Sequence, residues 1–374
     1  MSDEVRRGLD GVVADITHVS KVMPDINALV YRGYPVQDLA EQTSFEEVAY
    51  LLWNGELPNQ AELNALIAEE KQHRAISDDL LAVIARYPKD AHPMDTLRTS
   101  VSFAGLNDED GADNSEAAER RKALRLWAKI PTMIAADSRL RQGKDPIAPR
   151  DDLSMGANFF NMVFGEVPQG EVLRAFDVSM VLYAEHGFNA STFTGRVVAS
   201  TLGEMYGAVT AAIAALKGPL HGGANEAVMH MLKEVGEPEN AKEWMLTALK
   251  EKRKIMGFGH RVYKRGDSRV PTMKKYADKM AEVVGDTKWQ NISDILRDTM
   301  IAEKNIYPNL DFPAGPAYYL MGFDIPIFTP IFVMSRITGW TAHIIEQHQN
   351  NRLIRPLCKY EGPGERSIPA IADR

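Results

Sequence analysis

The sequence predicts a mainly α-helical protein, and three observations carry that expectation. Apolar residues recur at spacings of three and four over long stretches, helix caps precede several of these stretches, and strand-like alternation is scarce. With 374 residues, 45% apolar and 25% charged, the chain is long enough for two domains, or one large one, around a sizeable core.

Taken in order, the one weak strand signal is an uneven alternation over residues 12–19. Thr43-Ser44-Phe45-Glu46-Glu47 sets an acid three residues after a hydroxyl, a capping-box pattern ahead of the apolar stretch 48–53. Residues 114–141 read as a long helix with Ser115 as its cap and Pro131 as a kink or break. Over residues 171–185, Leu173, Phe176, Met180, Val181 and Ala184 share one face of an amphipathic helix. Residues 205–216, rich in alanine, read as a buried helix that stops at Lys217-Gly218-Pro219. Loops are expected at 106–114, 143–152 and 236–240. None is long enough to link independent domains flexibly, so two domains would be joined at tight, structured crossings.

Composition excludes several functions. The longest uncharged run, residues 153–165, is 13 residues long, short of the roughly 18 that span a bilayer. A net charge of −8 offers no basic footprint for nucleic acid, so an anionic ligand would have to be held by locally placed arginines. The single cysteine, Cys358, leaves no intramolecular disulfide and no multi-cysteine zinc site, and it reads as a packing residue. Met1-Ser2-Asp3-Glu4-Val5-Arg6-Arg7 has no apolar segment and carries two acids, and Ala372-Asp373-Arg374 is no organellar address. A cytoplasmic setting is the expectation.

Three segments combine glycine, proline and a titratable group without helical periodicity. Gly218-Pro219-Leu220-His221-Gly222-Gly223-Ala224-Asn225-Glu226 flanks a histidine with glycines and ends where a helix can start. Met256-Gly257-Phe258-Gly259-His260-Arg261-Val262-Tyr263-Lys264 again sets a histidine after a glycine-rich turn. Tyr307-Pro308-Asn309-Leu310-Asp311-Phe312-Pro313-Ala314-Gly315 holds a lone carboxylate among apolar neighbours, where desolvation would raise its pKa and strengthen it as a base. Each has a plainer alternative: the histidines as turn residues, Asp311 as a helix cap. His343-Ile344-Ile345-Glu346-Gln347-His348 fits no zinc-protease spacing and reads as a helix with a polar face, so no metal is expected. The residues alone give a candidate acid–base site of His221, His260 and Asp311.

These three segments resemble the active-site motifs of the citrate synthase family, in the family's order and at similar separations. The resemblance runs over nearly the whole chain, through Tyr31-Arg32-Gly33-Tyr34, His92-Pro93-Met94-Asp95, Tyr183-Ala184-Glu185-His186-Gly187-Phe188-Asn189-Ala190-Ser191, Ser335-Arg336-Ile337-Thr338-Gly339-Trp340 and Asn351-Arg352-Leu353-Ile354-Arg355-Pro356. Residues 257–271 and 309–315 look most like the bacterial 2-methylcitrate synthase subgroup, which includes enzymes that also make citrate, and the chain is of the short type.

The resemblance implies a nearly all-α homodimer. Residues 1–221 and 325–374 would form a large domain, and residues 222–324 an inserted small one that closes over the substrates. It implies condensation of an acyl-CoA with oxaloacetate, then thioester hydrolysis, with propionyl-CoA as the substrate and acetyl-CoA as a secondary one; the alternative is a citrate synthase that prefers acetyl-CoA. No cofactor is implied, since the coenzyme A thioester is a substrate. Asp311 matches the family's base, His221 the donor to the thioester oxygen, and His260 the donor to the ketone. His186, Arg269, Arg336 and Arg355 match the oxaloacetate contacts, Arg355 across the dimer interface. Lys254, Ile255, Met256, Gly257 and Phe258 would hold the CoA adenine, with Lys264 and Arg265 near its phosphates. One departure is that Leu357 and Cys358 follow Arg355-Pro356 where many members carry a second arginine. The reading from another class is a helical binding or regulatory module that kept the fold and lost the chemistry.

Overall fold

The computed structural model describes residues 5–168, 170–263 and 265–374. The chain opens with a small antiparallel sheet of β1 (Ser20–Met23), β2 (Ala28–Tyr31) and β3 (Tyr34–Pro35), in that order. Ser20 pairs with Tyr31 and Met23 with Ala28 around a turn closed by Asn27 at φ 50°. The alternation at residues 12–19 forms no strand. That segment is mostly exposed and has no neighbouring ladder to join, and alternation without a partner does not make a strand.

Among the described residues the remaining regular elements are helical. The elements are α1 (Val36–Gln42), α2 (Phe45–Asn54), α3 (Gln60–Gln72), α4 (Asp78–Ile84), α5 (Pro93–Leu106), α6 (Glu116–Arg141), α7 (Met155–Phe164) and α8 (Glu171–Tyr183). They continue as α9 (Ala190–Ser200), α10 (Met205–Leu216), α11 (Ala224–Val235), α12 (Pro238–Lys250), α13 (Val270–Val284), α14 (Lys288–Lys304), α15 (Asp311–Leu320) and α16 (Phe328–Gln349). The capping box forms at α2: Ser44 Oγ accepts from Glu47 N, and Glu47 accepts from Ser44 N at 2.7 Å. Ser115 caps α6, but Pro131 does not end it; one helix of 26 residues runs through. Packing of α6 against α16, α5 and α7 outweighs the missing N–H. The loop expected at 236–240 shrinks to Gly236 (φ 77°) and Glu237, because Pro238 takes the first helical position, where it loses no hydrogen bond.

Helix α16 is buried almost end to end and packs on α2, α6, α8, α9 and α10, burying Arg336 and His343 along with its apolar residues. Gly339 lets it come close to the end of α8: a Cβ there would stand 2.5 Å from Ala184 O. Helices α11 to α15 pack on one another, and α13 also lies against α8. No helix among the described residues is long and apolar enough to cross a membrane. The connections that matter for chemistry are 184–189, 217–223, 251–269 and 305–310, which lie at helix ends.

Candidate active site

The end of α8 organises the site. The last carbonyls of a helix lack N–H partners and carry partial negative charge. Arg336 Nε donates to Tyr183 O at 2.7 Å, and Arg269 Nη1 donates to Leu182 O at 3.4 Å. Arg336, buried in α16, also lies over the Phe332 ring, 4.7 Å from its centroid. Burial pushes its pKa down to about 10, which leaves it cationic at neutral pH. Arg269 forms a two-pronged pair with Asp267, at 2.9 and 2.6 Å. Burial opposes both charges, but their attraction wins, holding Asp267 below the ordinary carboxylate range and Arg269 above its own.

Next to this pair His186 is buried, with its ring centroid 4.9 Å from that of His260. Its Nε2 has no hydrogen-bond partner among the described residues. Burial first, and then Arg269, hold it well below the usual histidine range, so it is neutral. An unpaired buried ring nitrogen costs about 1–3 kcal/mol unless a ligand completes it.

The two predicted catalytic histidines are each tied by backbone N–H donors, but through opposite ring nitrogens. Ser191 N donates to His221 Nε2 at 3.2 Å, with Ser191 Oγ at 2.8 Å and Asn189 Oδ1 at 3.2 Å. The Ser191 backbone N–H can only donate, so it assigns Nε2 as the acceptor and the proton of the neutral ring to Nδ1; Asn189 Oδ1, itself an acceptor, is then a neighbour and not a partner. His260 is the mirror case: Val262 N and Tyr263 N donate to its Nδ1 at 3.0 and 3.2 Å, which places the proton on Nε2. Burial lowers both histidines to about 4, assisted by Arg336 at His221 and by Arg269 at His260. Each is therefore a neutral ring with one N–H left to give.

Asp311 is the first residue of α15. Tyr183 OH donates to its Oδ1 at 2.7 Å. Burial raises its pKa to about 6 against the pull of Tyr183 and the nearby arginines. The loops bearing His260 and Asp311 are laced together: Asn309 N donates to Gly257 O at 2.9 Å, Gly259 N to Tyr307 O at 2.8 Å, and Asn309 Nδ2 to Gly259 O at 3.0 Å. Gly257, at φ 80°, has no room for a side chain; a Cβ would meet Val228 Cγ2 at 2.5 Å. His221 reaches the same place through Phe332, whose ring lies 6.5 Å from the imidazole and 4.2 Å from Tyr183.

The structure thus gathers His186, His260, Arg269, Arg336 and Asp311 around the end of α8, with His221 joined through Phe332 and Ser191. Arg355 is not brought in; it is exposed in the C-terminal segment that follows α16. Of the proposed CoA contacts, Lys254 and Arg265 are exposed, Ile255 and Met256 half-buried, and Gly257 buried. Phe258 packs on Phe312 at 4.5 Å, and Lys264 lies outside the described residues. Sequence reasoning gave no role to Tyr183, Asp267, Asn189 or Ser191. Asp267, two residues before Arg269, was the one with a readable signal. The segment 343–348 lies inside α16, and His343 is buried rather than on a polar face. No group of three or more metal-ligating side chains occurs among the described residues.

A cavity of about 150 Å³ opens beside His260, lined also by Tyr263, Asp267 and Tyr307. A larger one, about 350 Å³, lies between α5, α6 and residues 324–330 and contains none of these groups. Volume and chemistry point to different places, and the hydrogen-bonding groups decide for the first.

A family model described as the citrate synthase C-terminal domain matches residues 8–357. The chain belongs to the citrate synthase family. It is 56% identical over 366 residues to a 2-methylcitrate synthase of Mycobacterium tuberculosis, covering 98% of this chain and 93% of that protein. It is equally 56% identical over 365 residues to a citrate synthase of Mycolicibacterium smegmatis, covering 97% of each. Among solved structures, citrate synthase of the archaeon Thermoplasma acidophilum, in ternary complex with carboxymethyl coenzyme A and oxaloacetate, superposes with a TM-score of 0.94 at 32% identity over 100% of both chains. The family's helical fold is the one predicted from the sequence.

Proposed function

We propose that this protein joins the α-carbon of an acyl-CoA to the ketone of oxaloacetate and then hydrolyses the thioester, with propionyl-CoA as its preferred substrate and acetyl-CoA as a slower one. It is then a 2-methylcitrate synthase with secondary citrate synthase activity. The observation that carries this reading is the opposed wiring of two neutral histidines around a carboxylate raised to about 6. Ionised Asp311 removes the weakly acidic α-proton of the thioester. His221 Nδ1–H donates to the thioester oxygen as it becomes enol-like. His260 Nε2–H polarises the ketone and protonates the alkoxide as the new carbon–carbon bond forms. Water then cleaves the thioester, giving the tricarboxylate and free CoA.

Oxaloacetate carries two negative charges. Arg269 is already half-spent on Asp267 and His186 is neutral, while Arg336 gives its Nε to Tyr183 O and has no hydrogen-bonded carboxylate among the described residues, so it is the cation left to meet oxaloacetate. Arg355 of a second subunit supplies the missing charge in a homodimer. Support comes from the C-terminal segment, which exposes Leu353, Leu357, Tyr360 and Ile368 and needs a partner surface to cover them. Residues 222–324 form the inserted domain, with residues 1–221 and 325–374 as the larger body; the mutual packing of α11 to α15 supports that division. Backbone groups of residues 254–258 hold the adenine, Lys264 and Arg265 the phosphates, and the setting is cytoplasmic.

Relatives at equal identity are named for each of the two activities. The substrates differ by one methylene, worth about 1–3 kcal/mol in an apolar pocket. The test is kcat/KM for both thioesters with oxaloacetate. A propionyl-CoA preference of about tenfold or more is expected. An acetyl-CoA preference makes the protein a citrate synthase, and no CoA release with either overturns the reaction.

A further inference from the structure

The motif His92-Pro93-Met94-Asp95 plays no part in the reaction derived above, yet it grips the segment that carries His221 at both ends. His92 is the N-cap of α5, its Nδ1 accepting from Met94 N at 3.1 Å. The proton of the neutral ring is thereby left on Nε2, which lies 3.1 Å from Glu226 Oε2. Three residues on, Asp95 Oδ2 accepts from Lys217 Nζ at 2.5 Å. Lys217 closes α10 just before the His221 turn, and Glu226 sits in the first turn of α11 just after it. The other Glu226 oxygen accepts from Thr329 Oγ1 and from Thr329 N at the start of α16, the latter at 3.3 Å.

We propose that the first turn of α5 and Glu226 form a clamp that positions His221, so that Glu226 is a positioning residue for the donation of Nδ1–H. The proposal rests on the reading of His221 as that donor. The turn closes on itself through two backbone bonds, His221 N to Gly218 O and Gly222 N to Leu216 O, both 2.8 Å and both referred to the end of α10, so its placement follows the ends that hold it. Leu220 is 84% exposed. Among the described residues the hydrogen bonds of the His221 ring are made at Nε2, and its one ring contact is with Phe332 at 6.5 Å. Where Nδ1 points therefore depends on where the backbone between Lys217 and Glu226 is held. The Asp95–Lys217 pair is about a third exposed and worth little alone. Glu226, 14% exposed on its side chain and taking hydrogen bonds from two large-body elements, carries the clamp.

Wild type, Glu226→Ala, Glu226→Gln and His92→Asn are compared for CoA release with oxaloacetate and propionyl-CoA, and for melting temperature. His92→Asn keeps an N-capping side chain but cannot reach Glu226, so it tests the clamp even where Glu226→Ala fails to fold. The clamp predicts that kcat falls about tenfold in Glu226→Ala, and several-fold in His92→Asn, with the oxaloacetate KM within about twofold of wild type. Glu226→Gln, which keeps an acceptor for Thr329 but turns its NH2 toward the His92 Nε2–H, should fall several-fold, as His92→Asn does, and stay above Glu226→Ala. A lower melting temperature with wild-type kcat in Glu226→Ala and His92→Asn overturns the clamp and leaves the reaction standing. A wild-type protein that releases no CoA overturns the reading of His221 itself.

Discussion

Glu185 and His186 are neighbours in the chain, both buried, and they face two regions built to opposite rules. Glu185 looks into the scaffold. Its Oε1 accepts from Ser20 Oγ at 2.8 Å and from His343 Nε2 at 2.9 Å. Arg196 Nη1 donates onward to His343 Nδ1 at 3.1 Å and to Glu346 at 2.8 Å, with its guanidinium 4.5 Å from the Phe188 centroid. Although burial works against its charge, His343 and Arg336 hold Glu185 below the ordinary carboxylate range. His186 looks the other way, and its Nε2 has no partner. In the same region Asp311 is raised instead of lowered, and His221 and His260 each keep one N–H to give. Burial alone does not separate the two regions, and neither does an unpaired atom, since Glu185 Oε2 also has no hydrogen-bond partner among the described residues. What separates them is compensation of charge: His343, Arg336 and Ser20 hold buried Glu185 ionised within the scaffold. At the site Asp311 is left with a raised pKa beside neutral rings that still have an N–H to give.

This contrast makes opposite predictions for loss of one group on each side. In the scaffold, His343→Leu leaves Arg196 and Glu185 without their link, and unfolding free energy should fall by about 3 kcal/mol. Chemical denaturation of that variant checks it; a neutral effect would erase the distinction. In the site, Asp311→Asn should act in the opposite direction, stabilising the protein at neutral pH by at most about 3 kcal/mol. The sign follows from the raised pKa of about 6 against 3.8. The folded state favours protonated Asp311, so that contribution is whole below about pH 4 and lost as pH rises through 6. At pH 7.5 the wild type bears an ionised carboxylate that asparagine lacks, and the gap between the two proteins should narrow as pH falls toward 4.5. A constant gap would mean that Asp311 is not held at a raised pKa.

The same contrast explains what the sequence revealed. Elements set by local rules were legible: the Ser44–Glu47 box, the Ser115 cap, and the amphipathic face of α8. Those set by distant partners were not. The strand lay at Ser20–Met23 because the hairpin partner is there, and Pro131 was absorbed by packing around α6. In the site, His221, His260 and Asp311 stood out because glycine and proline break periodicity around a titratable group. Tyr183 was hidden, as a helix residue with nothing nearby in sequence to mark its bond to Asp311, 128 positions away. Arg269 showed its charge but not that Asp267 already holds it on one side.

The account turns on Asp311 as the base that takes the α-proton. In deuterium oxide, with malate occupying the place of oxaloacetate so that no condensation follows, wild type should exchange the α-hydrogens of propionyl-CoA for deuterium, read by mass spectrometry. Asp311→Asn should lose that exchange by about a thousandfold while malate binding, followed by calorimetry, is retained. Exchange that continues in Asp311→Asn at near the wild-type rate would contradict the assignment, and the base would have to be sought elsewhere.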